Sequence, residues 1–529
     1  MSVRLFGIIG IFALAYAALL FRLYDIQIVH NGYYVARAES EAVAALPKDD
    51  RGTIYFTDKN GTRLPAGTNK PLPVLYAVPK GIADARGAAD LIAPILGESA
   101  DALAARFAKP NDAYELLKRK ADPAVAGQIG DLKIKGIYVD EVPERVYPFG
   151  TRAAQVLGFV GPNGADAGES GHYGIEERFD GTLRGTENIT VTIDPNLEIE
   201  AERILQDLVA AHGAEGGTVI VEDPKTGKIL AMGNVPSFDP NAYAASPVGN
   251  FLNPAVQHLY EPGSVFKVLT MAAGIDSGKI TPETTYTDTG SVTLNGRTIQ
   301  NYDFKTHGSY GKATMTNVIE HSINTGAVFA ERQIGRDIFT AYVKRFGLDQ
   351  KTGISLPGEL HGDLRRLSPK EKDIAFATAS YGQGVAVTPL ELISAIAAIA
   401  NGGNLMRPYL DLSAKPEVIR RVISESTARQ VTDMMISAVD KAGVAKVKGF
   451  TIAGKTGTAF IPDFKRGGYT DKVIDSYVGF GPTSDPRFII LIKLNGLASS
   501  QLAALNVVPA FHDLAQFILN YYNIPPDRL

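Results

Sequence analysis

Hydrophobic and polar positions divide the chain into three stretches. The first is a single apolar run, "LFGIIGIFALAYAALLF", from Leu5 to Phe21, without a charge and bracketed by Arg4 and Arg22. About 17 to 25 apolar residues cross a bilayer as a helix. The run lies at the short end of that range; Arg22 can snorkel, and Leu23-Tyr24 extend it. Ala15-Tyr16-Ala17 has the look of a cleavage site, but Ala18-Leu19-Leu20-Phe21 stay apolar where a signal peptide turns polar. The pattern predicts a retained single-pass anchor over residues 1–24. It places the N-terminus in the cytoplasm and the rest of the chain outside, at the cell (inner or plasma) membrane.

The second stretch, residues 25–189, is irregular. "DDRGTIYFTDKNGTRL" alternates as two short strands about Asn60-Gly61, a hairpin signal. "GAADLIAPILG" and "NDAYELLKRKADPAVAGQIGDLKIKG" read as helices in an alanine-rich region. No cluster of chemistry-bearing residues appears, so this part reads as an elongated spacer or docking module.

The third stretch, residues 190–529, is patterned throughout. "TVTIDPNLEIEAERILQDLVAAHG" predicts a short strand and a helix with Leu197, Ile204, Leu205 and Leu208 inward. "GTVIVEDPKTGKILAMGNV" is a hairpin turning at Pro224–Gly227, and "SYVGFGPTSDPRFIILIKLNG" is another turning at Ser484-Asp485-Pro486. "TPLELISAIAAIANGG" carries a full helix signature: Thr388 as cap, Pro389 at the first position, Glu391 closing a capping box, Gly402-Gly403 as the stop. "VVPAFHDLAQFILNYYNI" is a last helix. Strands at both ends and helices between predict a mixed α/β (α+β) fold, one antiparallel sheet covered by helices.

Composition narrows the chemistry. The 529 residues are 45% hydrophobic and 21% charged, with a net charge of -4, so nothing suggests nucleic acid. The absence of cysteine removes disulfides, thiolate nucleophiles and zinc–cysteine sites. The eight histidines are scattered and form no H-E-x-x-H pattern, so no metal ligand set is predicted.

Three short segments remain. In "YEPGSVFKVLT", Ser264 and Lys267 lie three apart behind Pro262-Gly263, at the head of a helical run from Val265 to Gly274. Residues i and i+3 share a helix face, so the amine can sit over the hydroxyl as its base. A serine cap with a solvated lysine explains the same residues. In "EHSINTGAV", Ser322 and Asn324 project to one side of a turn or extended segment, or simply end a helix. In "IAGKTGTAF", strand alternation sets Lys455 and Gly457 on one side and Thr456 and Thr458 on the other. A glycine there lets a substrate backbone lie close; a plain turn with a solvated lysine is the alternative.

"GFTIAGKT", Gly449 to Thr456, also matches the phosphate-cradling G-x-x-x-x-G-K-[ST]. The charged "KAGVAKVK" before it and Gly457 and Pro462 after it do not supply the strand and helix that loop needs. "PGSVF" lacks the second glycine of G-x-S-x-G, and His321 is only a chain neighbour of Ser322, which argues against a lipase-like hydrolase.

Taken together, S-x-x-K, S-x-N and K-T-G, in that order and widely spaced, resemble the penicillin-binding proteins and serine β-lactamases. The resemblance runs from about Thr190 to the C-terminus and takes in "YEPGSVFK", "AGKTGT", "YGQGVAVTPLE" and "VGFGP". "DRGTIY" and "GIEERFDGTLRG" look like the N-terminal, dimerisation-like module of the class B penicillin-binding proteins. "AGKTGT" and the compact N-terminal half look more like the cell-division (septal) branch than the elongation branch.

The resemblance implies a peptidoglycan D,D-transpeptidase working through an acyl-serine without any cofactor. It implies Ser264 as nucleophile, Lys267 as base, Ser322 as proton relay, and Asn324 as holder of the substrate amide and of Lys267. The backbone N–H groups of Ser264 and Thr458 would form the oxyanion hole, and Lys455, Thr456 and Thr458 would receive the terminal carboxylate, with Gly457 between them. Stem peptides and β-lactams are the implied ligands. A membrane-embedded glycan polymerase and other division proteins are the implied partners. A D,D-carboxypeptidase or hydrolase would use the same residues, and a non-catalytic penicillin-binding sensor or scaffold would be acylated without turning over stem peptides. One departure stands out: "LASSQLAALNVVPAFHDL" replaces the Gly-rich turn and Ala-Pro expected before the last helix.

Overall fold

The computed structural model describes residues 51–528, apart from 110, 111, 113, 164–167, 464 and 499–502. The expected span over Leu5–Phe21 falls outside them. No helix among the described residues is long and apolar enough to cross a membrane. Asn69–Val146 form one compact unit; Gly52–Thr68 with Tyr147–Leu529 form another.

The hairpin about Asn60-Gly61 is present: β1 (Ile54–Thr57) pairs antiparallel with the start of β2 (Arg63–Ala77), Thr57 opposite Arg63. Asp58 Oδ1 accepts from the backbone N–H groups of Asn60 and Thr62, at 2.9 and 2.8 Å, and so fixes the turn.

In the smaller unit, α1 (Ala85–Leu96), α2 (Ala100–Phe107), β3 (Glu115–Lys118), α3 (Pro123–Asp131) and β4 (Ile137–Val146) share a core of Leu75, Ile92, Leu103, Phe107, Leu117 and Ile129. The segment expected to be wholly helical therefore contains a strand, which pairs with Leu75–Ala77 of β2. "ELLK" is too short to hold a helix alone. As a strand it buries Leu117, while Arg106 and Lys109 hold the Glu115 carboxylate at 2.8 and 2.7 Å. The helix begins only where Asp122 accepts from Ala124 N–H and Pro123 takes the first turn.

The larger unit is built on one antiparallel sheet. The elements that carry the sheet and the site include α4 (Pro195–His212), β5 (Gly216–Asp223), β6 (Lys228–Val235), α5 (Lys267–Asp276), α6 (Asn324–Ile334), α7 (Pro389–Ala400), α8 (Glu425–Ala442), β7 (Ala453–Pro462), β8 (Tyr469–Gly481), β9 (Phe488–Ala498) and α9 (Val507–Tyr521). The strand order is β7-β8-β9-β5-β6, so the two hairpins join between β9 and β5 and β7 is an edge. Alternation along "TVIV" and "FIILIKL" feeds two cores. Val219, Val221, Ile490 and Ile492 meet α4 and α9. Ile220, Ile489 and Leu491 meet α5, α7 and α8.

All twelve residues of α7 are buried, which suits a helix apolar on every side. Its capping box forms as expected: Glu391 N–H donates to Thr388 Oγ at 3.1 Å, and Thr388 N–H donates to Glu391 Oε2 at 2.7 Å.

One buried acid lies between sheet and helix. Glu222 on β5 is fully buried; Ser394 of α7 donates to its Oε2 at 3.2 Å, and its Oε1 has no partner. Burial pushes its carboxyl up to about 8. Between the ordinary carboxyl range and about 8 the folded chain holds a proton that the unfolded chain has released, so stability falls as pH rises through that window. Glu222→Gln should remove this slope, about 1.4 kcal/mol per pH unit at most for one proton. Denaturant midpoints measured from pH 5 to pH 8 check it: the slope should be shallower in the variant, with a remainder from Glu331 and Glu391, which burial raises to about 7, and an unchanged slope would assign it to other groups.

Candidate active site

Ser264 lies in a single 3-10 turn, Gly263–Phe266, that runs directly into α5. Gly263 has φ +58°, a left-handed conformation that favours glycine, and its N–H donates to the Gly382 carbonyl at 3.1 Å. The serine therefore caps nothing. Its hydroxyl lies 2.9 Å from Lys267 Nζ, as the i, i+3 spacing predicts.

Lys267 is 0% exposed. Besides Ser264 Oγ, its Nζ meets the Ser322 carbonyl at 2.5 Å and Ser322 Oγ at 3.1 Å. Burial, and then the nearby Lys455, hold this amine well below the ordinary lysine range; Asp303 pulls the other way. A solvated lysine is thus excluded.

Ser322 sits between helix Met315–Glu320 and α6 with φ +56°. Its hydroxyl is shared between two amines, because Lys455 Nζ lies 2.9 Å away on the other side. Lys455 rises from edge strand β7, is 3% exposed, and burial pushes its amine down to about 7. It also donates to the Thr456 carbonyl and hydroxyl at 3.1 and 3.2 Å. Two amines and two hydroxyls thus form one chain: Ser264, Lys267, Ser322, Lys455.

A family model described as the penicillin binding protein transpeptidase domain matches residues 217–513, and one described as the penicillin-binding protein dimerisation domain matches 48–220. The chain belongs to the class B penicillin-binding proteins. Stage V sporulation protein D of Bacillus subtilis is 30% identical over 92% of this chain and 81% of its own length. Peptidoglycan D,D-transpeptidase FtsI of Escherichia coli is 30% identical over 98% of this chain and 92% of its own. Penicillin binding protein 3 of Mycobacterium tuberculosis, solved with aztreonam, superposes with a TM-score of 0.69 at 25% identity, covering 90% of this chain and 97% of that one. This penicillin-binding protein is a serine-type D,D-transpeptidase of cell-wall synthesis, acting on peptidoglycan and binding β-lactams.

In this penicillin-binding protein the remaining residues of the three motifs are placed less simply. Asn324 opens α6 and gives its amide N–H to the Gln300 carbonyl at 2.8 Å; among the described residues no hydrogen bond joins it to Lys267. Ser322 and Asn324 therefore serve different neighbours. Their segment is held by a buried network that no motif announced. Thr325 donates to Asp288 Oδ1, and Thr325 N–H donates to Asn301 Oδ1 at 3.1 Å. The Asn301 amide in turn spans both Asp288 oxygens at 3.2 and 3.1 Å. His321 is exposed, its ring 4.9 Å from that of Tyr310. "GFTIAGKT" enters a strand at Ala453, so its lysine lies on β7 and not at a helix start.

Gly457 also meets a packing constraint within the fold. A Cβ there would lie 2.6 Å from Ser476 Oγ, 2.8 Å from the Pro262 carbonyl and 2.9 Å from Val265. The space on that side is filled by the turn that carries Ser264. Gly457→Ala should therefore push the Ser264 turn off β7 and slow acylation by a β-lactam on the order of tenfold or more, since small displacements of reacting groups are expensive. Stopped-flow acylation with a fluorescent penicillin measures it, and an unchanged rate would show that the turn tolerates the methyl group.

Proposed function

We propose that Ser264 Oγ attacks the carbonyl between the two terminal D-alanines of a stem peptide while Lys267, neutral, takes its proton. The supporting observation is the fully buried Lys267 amine, 2.9 Å from Ser264 Oγ and beside a second buried lysine. A lysine at its free pKa near 10.4 is a poor base at neutral pH. Desolvation and the second amine favour the uncharged form, whose lone pair can accept. Ser322, bonded to Lys267, relays the proton to the departing amine. Backbone N–H groups of Ser264 and Thr458 carry the oxyanion. Lys455, with Thr456, attracts the terminal carboxylate, and an amine of a neighbouring stem peptide then accepts the acyl group.

Septal wall synthesis is the setting favoured by similarity to FtsI and by the "AGKTGT" motif. The apolar Leu5–Phe21 run supports a single-pass anchor at the cell membrane, with catalysis outside the cytoplasm. On this reading residues 1–24 are the anchor, 25–189 a pedestal that engages a membrane-embedded glycan polymerase, and 190–529 the transpeptidase domain.

Ser264→Ala should abolish labelling by a fluorescent penicillin and leave folding intact; surviving label would refute the nucleophile. Lys267→Arg should slow acylation by about 100-fold or more, because arginine stays protonated and cannot act as base. Lys455→Arg should be milder, since the positive charge persists. The reverse ordering of the two variants would overturn the base assignment.

Exchanging Leu5–Phe21 for an unrelated spanning helix, or disrupting Arg51-Gly52, should weaken co-purification with the polymerase while Ser264 acylation continues. Full binding and full polymerase activity in both variants would reduce the region to a passive tether.

A further inference from the structure

Asp475 stands directly opposite Thr458 across the β7–β8 ladder and is fully buried. Thr458 Oγ donates to Asp475 Oδ1 at 2.7 Å. The second oxygen, Oδ2, accepts from the Asn506 amide at 2.8 Å. Asn506 is itself 2% exposed, and its Oδ1 accepts from Val507 N–H at 2.6 Å, at the start of α9. Its amide therefore cannot turn away from Asp475. Asn506 lies in the segment that departs from the family's Gly-rich turn, so that departure supplies a side chain with a defined partner.

Hydrogen-bond capacity gives this arrangement a consequence. A threonine hydroxyl owns one proton, and an ionised carboxylate only accepts. With the Thr458 proton committed to Asp475, the remainder of that hydroxyl offers lone pairs. A substrate carboxylate is also acceptor only, so Thr458 has nothing to donate to it. Thr456 differs: its Oγ accepts from Lys455 at 3.2 Å and keeps its own proton to give.

We infer that Asp475, clamped by Asn506, is a positioning residue that makes Thr458 an acceptor and leaves reception of the terminal carboxylate to Lys455 and Thr456. This rests on β7 being the carboxylate-receiving strand. It differs from the expectation that both threonine hydroxyls donate.

The test compares a penicillin bearing its free carboxylate with its methyl ester on the full-length chain. The readout is the acid-to-ester ratio, taken separately for the pre-acylation binding constant and for the acylation rate constant. Asp475→Ala frees the Thr458 proton and should raise the ratio about fivefold, the worth of one hydrogen bond, in the binding constant but not in the rate constant. Thr458→Val should then lower the ratio far more in the Asp475→Ala background than in the native one. Asp475→Asn keeps the side-chain volume, and its amide can donate to Thr458; it should reproduce the rise should the alanine variant fold poorly.

A ratio that is unchanged in both Asp475 variants, or independent effects at 458 and 475, would overturn the inference. Lys455→Ala separates the two levels. A ratio insensitive to Lys455 removes the carboxylate-receiving role of β7 itself. Sensitivity to Lys455 without coupling between 458 and 475 removes only the role given to Asp475.

Discussion

The site depends on a primary amine taken out of water with no salt bridge to a carboxylate among the described residues. A buried ammonium costs several kcal/mol unless a counter-charge offsets it. Around Lys267 the fold supplies two hydroxyls, one carbonyl and a second buried lysine. Repulsion between the two amines adds to desolvation, and both favour the uncharged form at one of them. The geometry thus selects a protonation state rather than merely bringing groups together.

Much of the larger unit serves to maintain that pocket. The turn before α5 leans on edge strand β7 through the vacant side of Gly457. Ser322 adopts a left-handed backbone that a non-glycine residue avoids, and it can do so because α6 begins immediately afterwards with Thr325 locked to Asp288 and Asn301. Below the pocket, α7 is buried on every side, so the sheet and α5 rest on a helix with no solvent-facing stripe.

The three candidate motifs, both sheet hairpins and the capping box of α7 were legible because each is local: a turn, a period or a cap within a dozen residues. What escaped is long-range. Glu115–Lys118 looks helical by propensity, and only its pairing with β2 makes it a strand. Nothing in the sequence shows that the Pro262 carbonyl and Val265 lie against the vacant side of Gly457. Nor does it show that a carbonyl 24 residues upstream takes the Asn324 amide. Asp288, Asn301 and Asp475 sit in ordinary strand or turn contexts, and nothing in their neighbours along the chain marks them as partners of Thr325 and Thr458.

The shared Ser322 hydroxyl has an evolutionary corollary. On the proposed roles, one oxygen that touches both Lys267 and Lys455 makes the affinity for an anionic ligand and the reactivity of the nucleophile one property with two handles. On those roles a substitution at either lysine that repels an antibiotic also disarms the attack on the native peptide, which carries the same carboxylate. Drug insensitivity in this chain therefore has to be selected outside the lysine pair, in the walls that distinguish a bicyclic inhibitor from a flexible peptide, where shape can change while the protonation chemistry stays as it is.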